Sequence, residues 1–243
     1  MGHPHRYPRC VFCGAKADSK EHAIPAWIAR RFGLKGTELH AVEFINLLPR
    51  KQPISVASYR ARIFCEECNT HFKHLEDATI PFLEPMGKDI SVALRSEEQD
   101  TLALWGAKTA YALLAAGGIE DVIPAEHLRL VRYEGRVSDD CWVGYCPWDG
   151  DFHKAIGDVD LEDLVAPTPR YQAYQAILTF ARVFMKVIGF VQPVPGTVID
   201  GETLSIKQVW PKQPRMLVWP PQGPPATNAT LPALAQFVPL RRV

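Results

Sequence analysis

No stretch of this 243-residue sequence reaches ~18 consecutive apolar residues, the length a helix needs to cross a bilayer, so no membrane-spanning helix is expected. The opening MGHPHRYPRC lacks the apolar core of a secretory signal and runs straight into a cysteine motif, which points to a cytoplasmic setting. Net charge is absent too, with 27 Lys and Arg against 27 Asp and Glu. Nothing recurs at solenoid or propeller periods, so repeat architectures are set aside. Cysteine is scarce. In a reducing compartment six cysteines read as metal ligands or core thiols rather than as disulfides. With 47% hydrophobic and 22% charged residues the chain can bury an ordinary core, and disorder is excluded.

The zero net charge hides a division. Residues 1–75 hold 12 Lys and Arg against 6 Asp and Glu, while residues 76–243 hold 15 against 21. Six of the eight histidines and four of the six cysteines also fall in residues 1–75. A basic segment dense in metal-ligand types, joined to an acidic remainder, fits a module facing nucleic acid on a carrier domain. The plain alternative is a chance scatter of surface charge.

Local patterns give a coarse map. Gly14 suits a tight turn after CVFC, and AWIARRFG reads as a short helix with Trp27, Ile28 and Phe32 on one side and Gly33 as its stop. Residues 36–54 show no clear period and read as an inserted loop. SYRARIFC alternates like a strand, and EECNTHFKHLED favours a helix. SEEQDTLALWGAKTAYALLAAGG predicts a long helix, with Ser96 and Gln99 as a capping box and Gly117-Gly118 as terminator. LRLVRY and DDCWVGYC read as two strands of a hairpin joined through Gly135. AILTFARVFMKVIGF, apolar throughout, leans towards a buried strand, with a helix as the other reading. The proline-rich tail is expected to lie irregularly over the surface.

Cys10-x-x-Cys13 and Cys65-x-x-Cys68 are two knuckles of matching spacing, separated by 51 residues. A two-residue gap lets both sulfurs of a knuckle reach one ion, and zinc takes four such ligands tetrahedrally. A structural four-cysteine zinc site is the expectation; two unrelated redox or core pairs are the alternative. Cys141 and Cys146, with four residues between them in a hairpin, read as core thiols.

Between the knuckles lies Ser19-Lys20-Glu21-His22-Ala23-Ile24-Pro25, and Asn69 follows Cys68 directly. CxxC, then EHAIP, then CEECN resembles the zinc-bearing branch of the HNH endonucleases over residues 10–76. The resemblance implies an α+β protein: an N-terminal zinc-stapled ββα-metal (HNH-like) domain, residues 1–84. An α+β accessory domain with a long helix and an antiparallel sheet is expected to follow over 85–243. It also implies a phosphodiester hydrolase, with His22 taking a proton from the attacking water. A hard cation, Mg²⁺ or Mn²⁺, would be held by Glu21 and Asn69, while the zinc stays out of the chemistry.

The family's middle Asn is missing from SYRARIF, which leaves Asn46 as its candidate. On the helix after Asn69, His74 or His71 is a candidate to replace or supplement it as a cation ligand, with a surface or zinc-side structural role as the plainer reading. His3 and His5 read as terminal residues. Arg30, Arg31, Lys35, Arg60 and Arg62 support, as a set, a nucleic-acid partner, with DNA favoured. Two other classes stand beside the nuclease. One is a catalytically inactive zinc-stapled nucleic-acid-binding module; the other is an interaction domain stapled by zinc. Substrate selection, docking of a protein partner or autoinhibition are the roles open to residues 85–243.

Overall fold

A computed structural model describes residues 9–19, 22–34, 37–45, 48–55, 62–162, 170–194, 197–199, 206–221, 223–236 and 240–242. Mixed helix and largely antiparallel sheet make it an α+β structure. No helix among these residues is long and apolar enough to cross a membrane.

The centre is α3 (Ser96–Ala116), where the long helix is expected. From Leu102 to Leu114 nearly every side chain is buried, including Trp105, Lys108 and Tyr111, so the helix is enclosed on all sides rather than amphipathic. The capping box does not form. Ser96 is already helical, and the Gln99 amide instead donates to the backbone carbonyls of Leu94 and Arg215, at 3.2 and 2.9 Å. Gln99 is thereby spent on pinning the C-terminal segment rather than the helix start.

One side of α3 faces a sheet built from β1 (Glu38–Ile45), β2 (Leu48–Ser55), β4 (Cys141–Asp149), β5 (His153–Glu162), β6 (Arg170–Phe180) and β7 (Val183–Phe190). Strands β9 (Lys207–Trp210) and β11 (Ala226–Thr227) both join β4, and the remaining order is β4-β7-β6-β5-β1-β2, while β8 (Thr197–Ile199) pairs with β12 (Leu240–Arg242) apart from this sheet. Most neighbours are antiparallel, but β1 runs parallel to β5, with His40 opposite His153. Residues 36–54 therefore contain a hairpin rather than a loop. Pro49 and Pro53 in β2 erased the expected alternation, and they are tolerated because β2 is an edge strand.

Three further expectations are corrected. LRLVRY is not a strand: α4 (Ala125–Arg129), led in by Pro124, passes directly into a π-helical turn, Leu130–Glu134. AILTFARVFMKVIGF is neither one strand nor a helix but parts of β6 and β7, which turn back at Ala181 and Arg182, with Ala181 at φ 49°. The tail is partly regular. β10 (Leu217–Trp219) pairs with β3 (Val92–Leu94), and buried Trp219 donates its indole N–H to the Met86 carbonyl at 3.2 Å. Of the expected strand SYRARIFC, residues 62–65 are irregular and the rest lies outside the described residues.

The second long helix, α2 (Glu66–Gly87), runs through Pro81 and Pro85, and the expected boundary at residues 84 and 85 falls inside it. Phe82, Leu83 and Met86 are buried on the far side of Pro81, and that burial holds the helix together where proline removes backbone bonds. Its apolar side joins one continuous core with Phe12, Trp27, α3 and the sheet.

Two buried features of the sheet make predictions. Gly189 on β7 stands opposite Tyr174 on β6, and a Cβ there would lie 2.0 Å from Tyr174 Cζ. Gly189→Ala is expected to destabilise the protein by about 1–3 kcal/mol through overpacking, read from the urea midpoint; an unchanged midpoint would contradict this packing. Lys186, fully buried on β7, donates to the Leu234 carbonyl, and burial pushes its ammonium down to about 7 from the ordinary 10.5. The unfolded chain then binds more protons than the folded one between those two values, so this group makes stability rise with pH from about 7 to 10.5. Lys186→Met should flatten that slope in unfolding curves taken across the window; an unaltered slope would assign it to other groups.

Candidate functional site

The first knuckle is a tight loop closed by a bridge between Arg9 and Lys16. Cys10 N–H donates to the Ala15 carbonyl at 2.7 Å, and Gly14, at φ 72°, makes the reversal that returns the chain. The second knuckle is the start of α2. Cys65 is its N-cap and accepts from the Cys68 N–H at 3.4 Å, while Asn69 N–H bonds the Cys65 carbonyl. Backbone bonds from Val11 to Ile63 and from Ser19 to Phe64, at 3.0 and 3.1 Å, lay the knuckles side by side. The Asp18 carboxylate adds a third link by accepting from the Glu66 N–H.

All four sulfurs consequently lie within 4.8 Å of one another, with Cys13 and Cys65 at 3.5 Å. A tetrahedral ion with ~2.3 Å metal–sulfur bonds needs sulfurs roughly 3.8 Å apart, so the set can hold a metal ion. Charge argues the same way. The hydrogen bond from Cys68 pulls the Cys10 thiol down to about 4, while that bond, with burial, holds the Cys68 thiol up. Four sulfurs this close cannot all ionise unless a cation sits among them.

Behind the cluster, Phe12, Phe64 and Phe72 pack ring on ring, with centroids 4.6 to 6.2 Å apart. Lys108 of α3 lies over the Phe64 ring and pairs with Glu76 at 2.6 Å. A further contact comes from the second region of the chain. Arg132 Nε donates to Cys68 Sγ at 3.1 Å, and its terminal nitrogen reaches Glu67 at 2.7 Å.

His22 is half-buried at the start of the short stretch, residues 22–25, that leads into α1 (Ala26–Arg31). Buried Ala23 and Ile24 fix that piece against the core. Between α1 and α2 opens a groove of about 370 Å³, lined by Arg30, Arg31, Asn69, Thr70, Lys73, Glu76 and Asp77 over a floor containing Trp27 and Ile80. Asn69 is thus on the groove wall, whereas His22 is not part of its lining. His71 and His74 are exposed and also off the groove. Five residues along a helix turn His74 by roughly 140° from Asn69. Arg31 pairs with Glu84, and Arg62 is exposed. Glu21, Asn46, His3, His5, Lys35 and Arg60 lie outside the described residues.

Sequence reasoning missed Thr70, Lys73, Glu76 and Asp77. Their signal was present: 69, 73, 76, 77 and 80 recur at helical spacing, so they share one face once EECN starts a helix. Cys141 and Cys146 are buried core thiols as expected, and burial pushes them up to about 11 and about 12.

No protein-family model, curated protein or solved structure matches the chain.

The cluster predicts that the protein carries one equivalent of tightly held metal. Cys13→Ser, altering the one half-exposed thiol of the four, should lower that stoichiometry and drop the melting temperature by roughly 10 °C, the shift that about 3–4 kcal/mol produces in a chain of this size. Elemental analysis beside a thermal melt checks both, and a metal-free wild-type protein of equal stability would refute it.

Proposed function

We propose that this chain is a metal-dependent endonuclease of the HNH type, acting on DNA, with zinc at the four cysteines as a structural staple. The observation that carries the reading is the sulfur cluster. Its closure goes with backbone and side-chain ties from Asp18 and Ser19, shortly before His22, to Phe64 and Glu66 at the start of α2, where Asn69 lines a groove bearing Arg30, Arg31 and Lys73. Those are the two sequence pieces, EHAIP and CEECN, that the resemblance assigns to the chemistry.

The division of labour follows from what each group can do. A four-thiolate set is closed and favours zinc in a structural role, with no open position for substrate. His22 accepts the proton from water as the water oxygen attacks phosphorus, and the bond from phosphorus to the leaving oxygen breaks. Glu21 and the Asn69 side-chain carbonyl are hard oxygen donors, the kind that Mg²⁺ or Mn²⁺ requires. When bound there, such an ion neutralises charge on the phosphate and helps the leaving oxygen depart. Arg30 and Lys73, on facing walls of the groove, supply cations for flanking phosphates, so binding should weaken steeply as salt rises.

Purified protein incubated with supercoiled plasmid and Mg²⁺ or Mn²⁺ should nick it, and EDTA should stop the reaction. His22→Ala should lose at least about a hundredfold in rate, the share a general base contributes, while keeping its zinc and its melting temperature. Asn69→Ala should behave likewise. Nicking retained in His22→Ala sinks the assignment of the base. Salt-sensitive binding with no turnover by a zinc-loaded protein would instead make the groove a binding module.

A further inference from the structure

We infer that Arg132, from the second region of the chain, is a positioning residue of the metal centre: its guanidinium donates to the Cys68 sulfur and offsets the charge of the four thiolates. The inference rests on the reading of that cluster as a zinc site. Arg132 is only 8% exposed, so its charge needs a partner inside the fold. Glu67 supplies part of one, but the Glu67 side chain is 83% exposed and well solvated. The partner in the interior is Cys68 Sγ, itself fully buried, at 3.1 Å from Nε.

Zinc with four thiolates carries a net charge of −2. Placing one fixed cation against the most buried sulfur lowers the cost of that charge. It also orients the sulfur by occupying one of its lone pairs, as groups outside the ligand set do at other metal sites. The backbone is arranged for this reach. Arg132 sits in the π-helical turn Leu130–Glu134, and such a turn re-aims side chains relative to an α-helix. The preceding α4 is anchored one turn earlier, where buried His127 bonds the Tyr174 hydroxyl of β6 at 2.7 Å. The sheet therefore holds the arginine in place, and the arginine holds the sulfur.

The test compares wild-type, Arg132→Met, Arg132→Gln and Glu67→Gln proteins by zinc competition against a chelating dye and by absorption of the Co²⁺-loaded forms. Arg132→Met should bind zinc about 10–100-fold more weakly. Its thiolate-to-cobalt charge-transfer band should move to lower energy, because a sulfur that loses a donated hydrogen bond gives up its electrons more easily. Glu67→Gln keeps the bond to sulfur and should leave the band in place. Should Arg132→Met fail to fold, Arg132→Gln, neutral but still a donor, should show an intermediate affinity. Wild-type affinity and an unmoved band in whichever arginine variant folds overturn the inference while leaving the metal reading intact. A wild-type protein that takes up neither ion overturns both.

Discussion

Four sulfurs held within 4.8 Å of one another are the constraint on which the site depends. The knuckles are separated by 51 residues, and closing a loop of that length costs conformational entropy that bonds in the folded state must offset. A cation bound by all four thiolates would contribute to that directly, because the four sulfurs come together only in the folded state. Much of the N-terminal segment is then determined by this closure. Val11, Asp18 and Ser19 are tied to residues 63, 66 and 64, Arg31 of α1 pairs with Glu84 of α2, and both helices line the groove.

The same closure leaves one face of the N-terminal segment unable to stand by itself. Phe12, Phe64 and Phe72 form a wall, and what covers it is α3, through Lys108 and through Tyr111, whose ring centroid lies 6.3 Å from that of Phe12. Because α3 also packs on the sheet, its exposed side is small and its residues are buried all round. The hairpin of β1 and β2 reinforces the connection by extending the same sheet beyond β5. The segment with the four cysteines and the sheet are thus layers around one shared helix.

What the sequence disclosed follows the range of the forces involved. The knuckles were legible because ligand spacing is a local covalent matter, and α1, α2 and α3 because helical signals repeat within a few residues. Three segments were misread for identifiable reasons. β2 hides behind edge prolines, and the turn between β6 and β7 uses Ala181 and Arg182 where Asn-Gly would have announced it. LRLVRY alternates like a strand, yet Pro124 starts a helix there and Glu126 pairs with Arg129 three residues on. At the site, His22 and Asn69 could be nominated from their motifs, and the groove face of α2 could have been. Arg132 could not, since it meets Cys68 across 64 residues of sequence and only the packing of α4 on β6 brings it there.

One other cluster in the molecule resembles chemistry and should be distinguished from it. Cys141, His127, Tyr174 and Tyr111 bond one another at 2.7 to 3.5 Å, a cysteine and a histidine within reach as in a nucleophilic dyad. Each is buried, burial pushes the Cys141 thiol up to about 11, and burial lowers His127, so neither is in the charged state that activation needs. Four polar groups that satisfy each other inside an apolar core specify how α3, α4, β4 and β6 meet, since any other register would strand them without partners. Their chemistry is spent on alignment, and what they align includes the helical turn carrying Arg132.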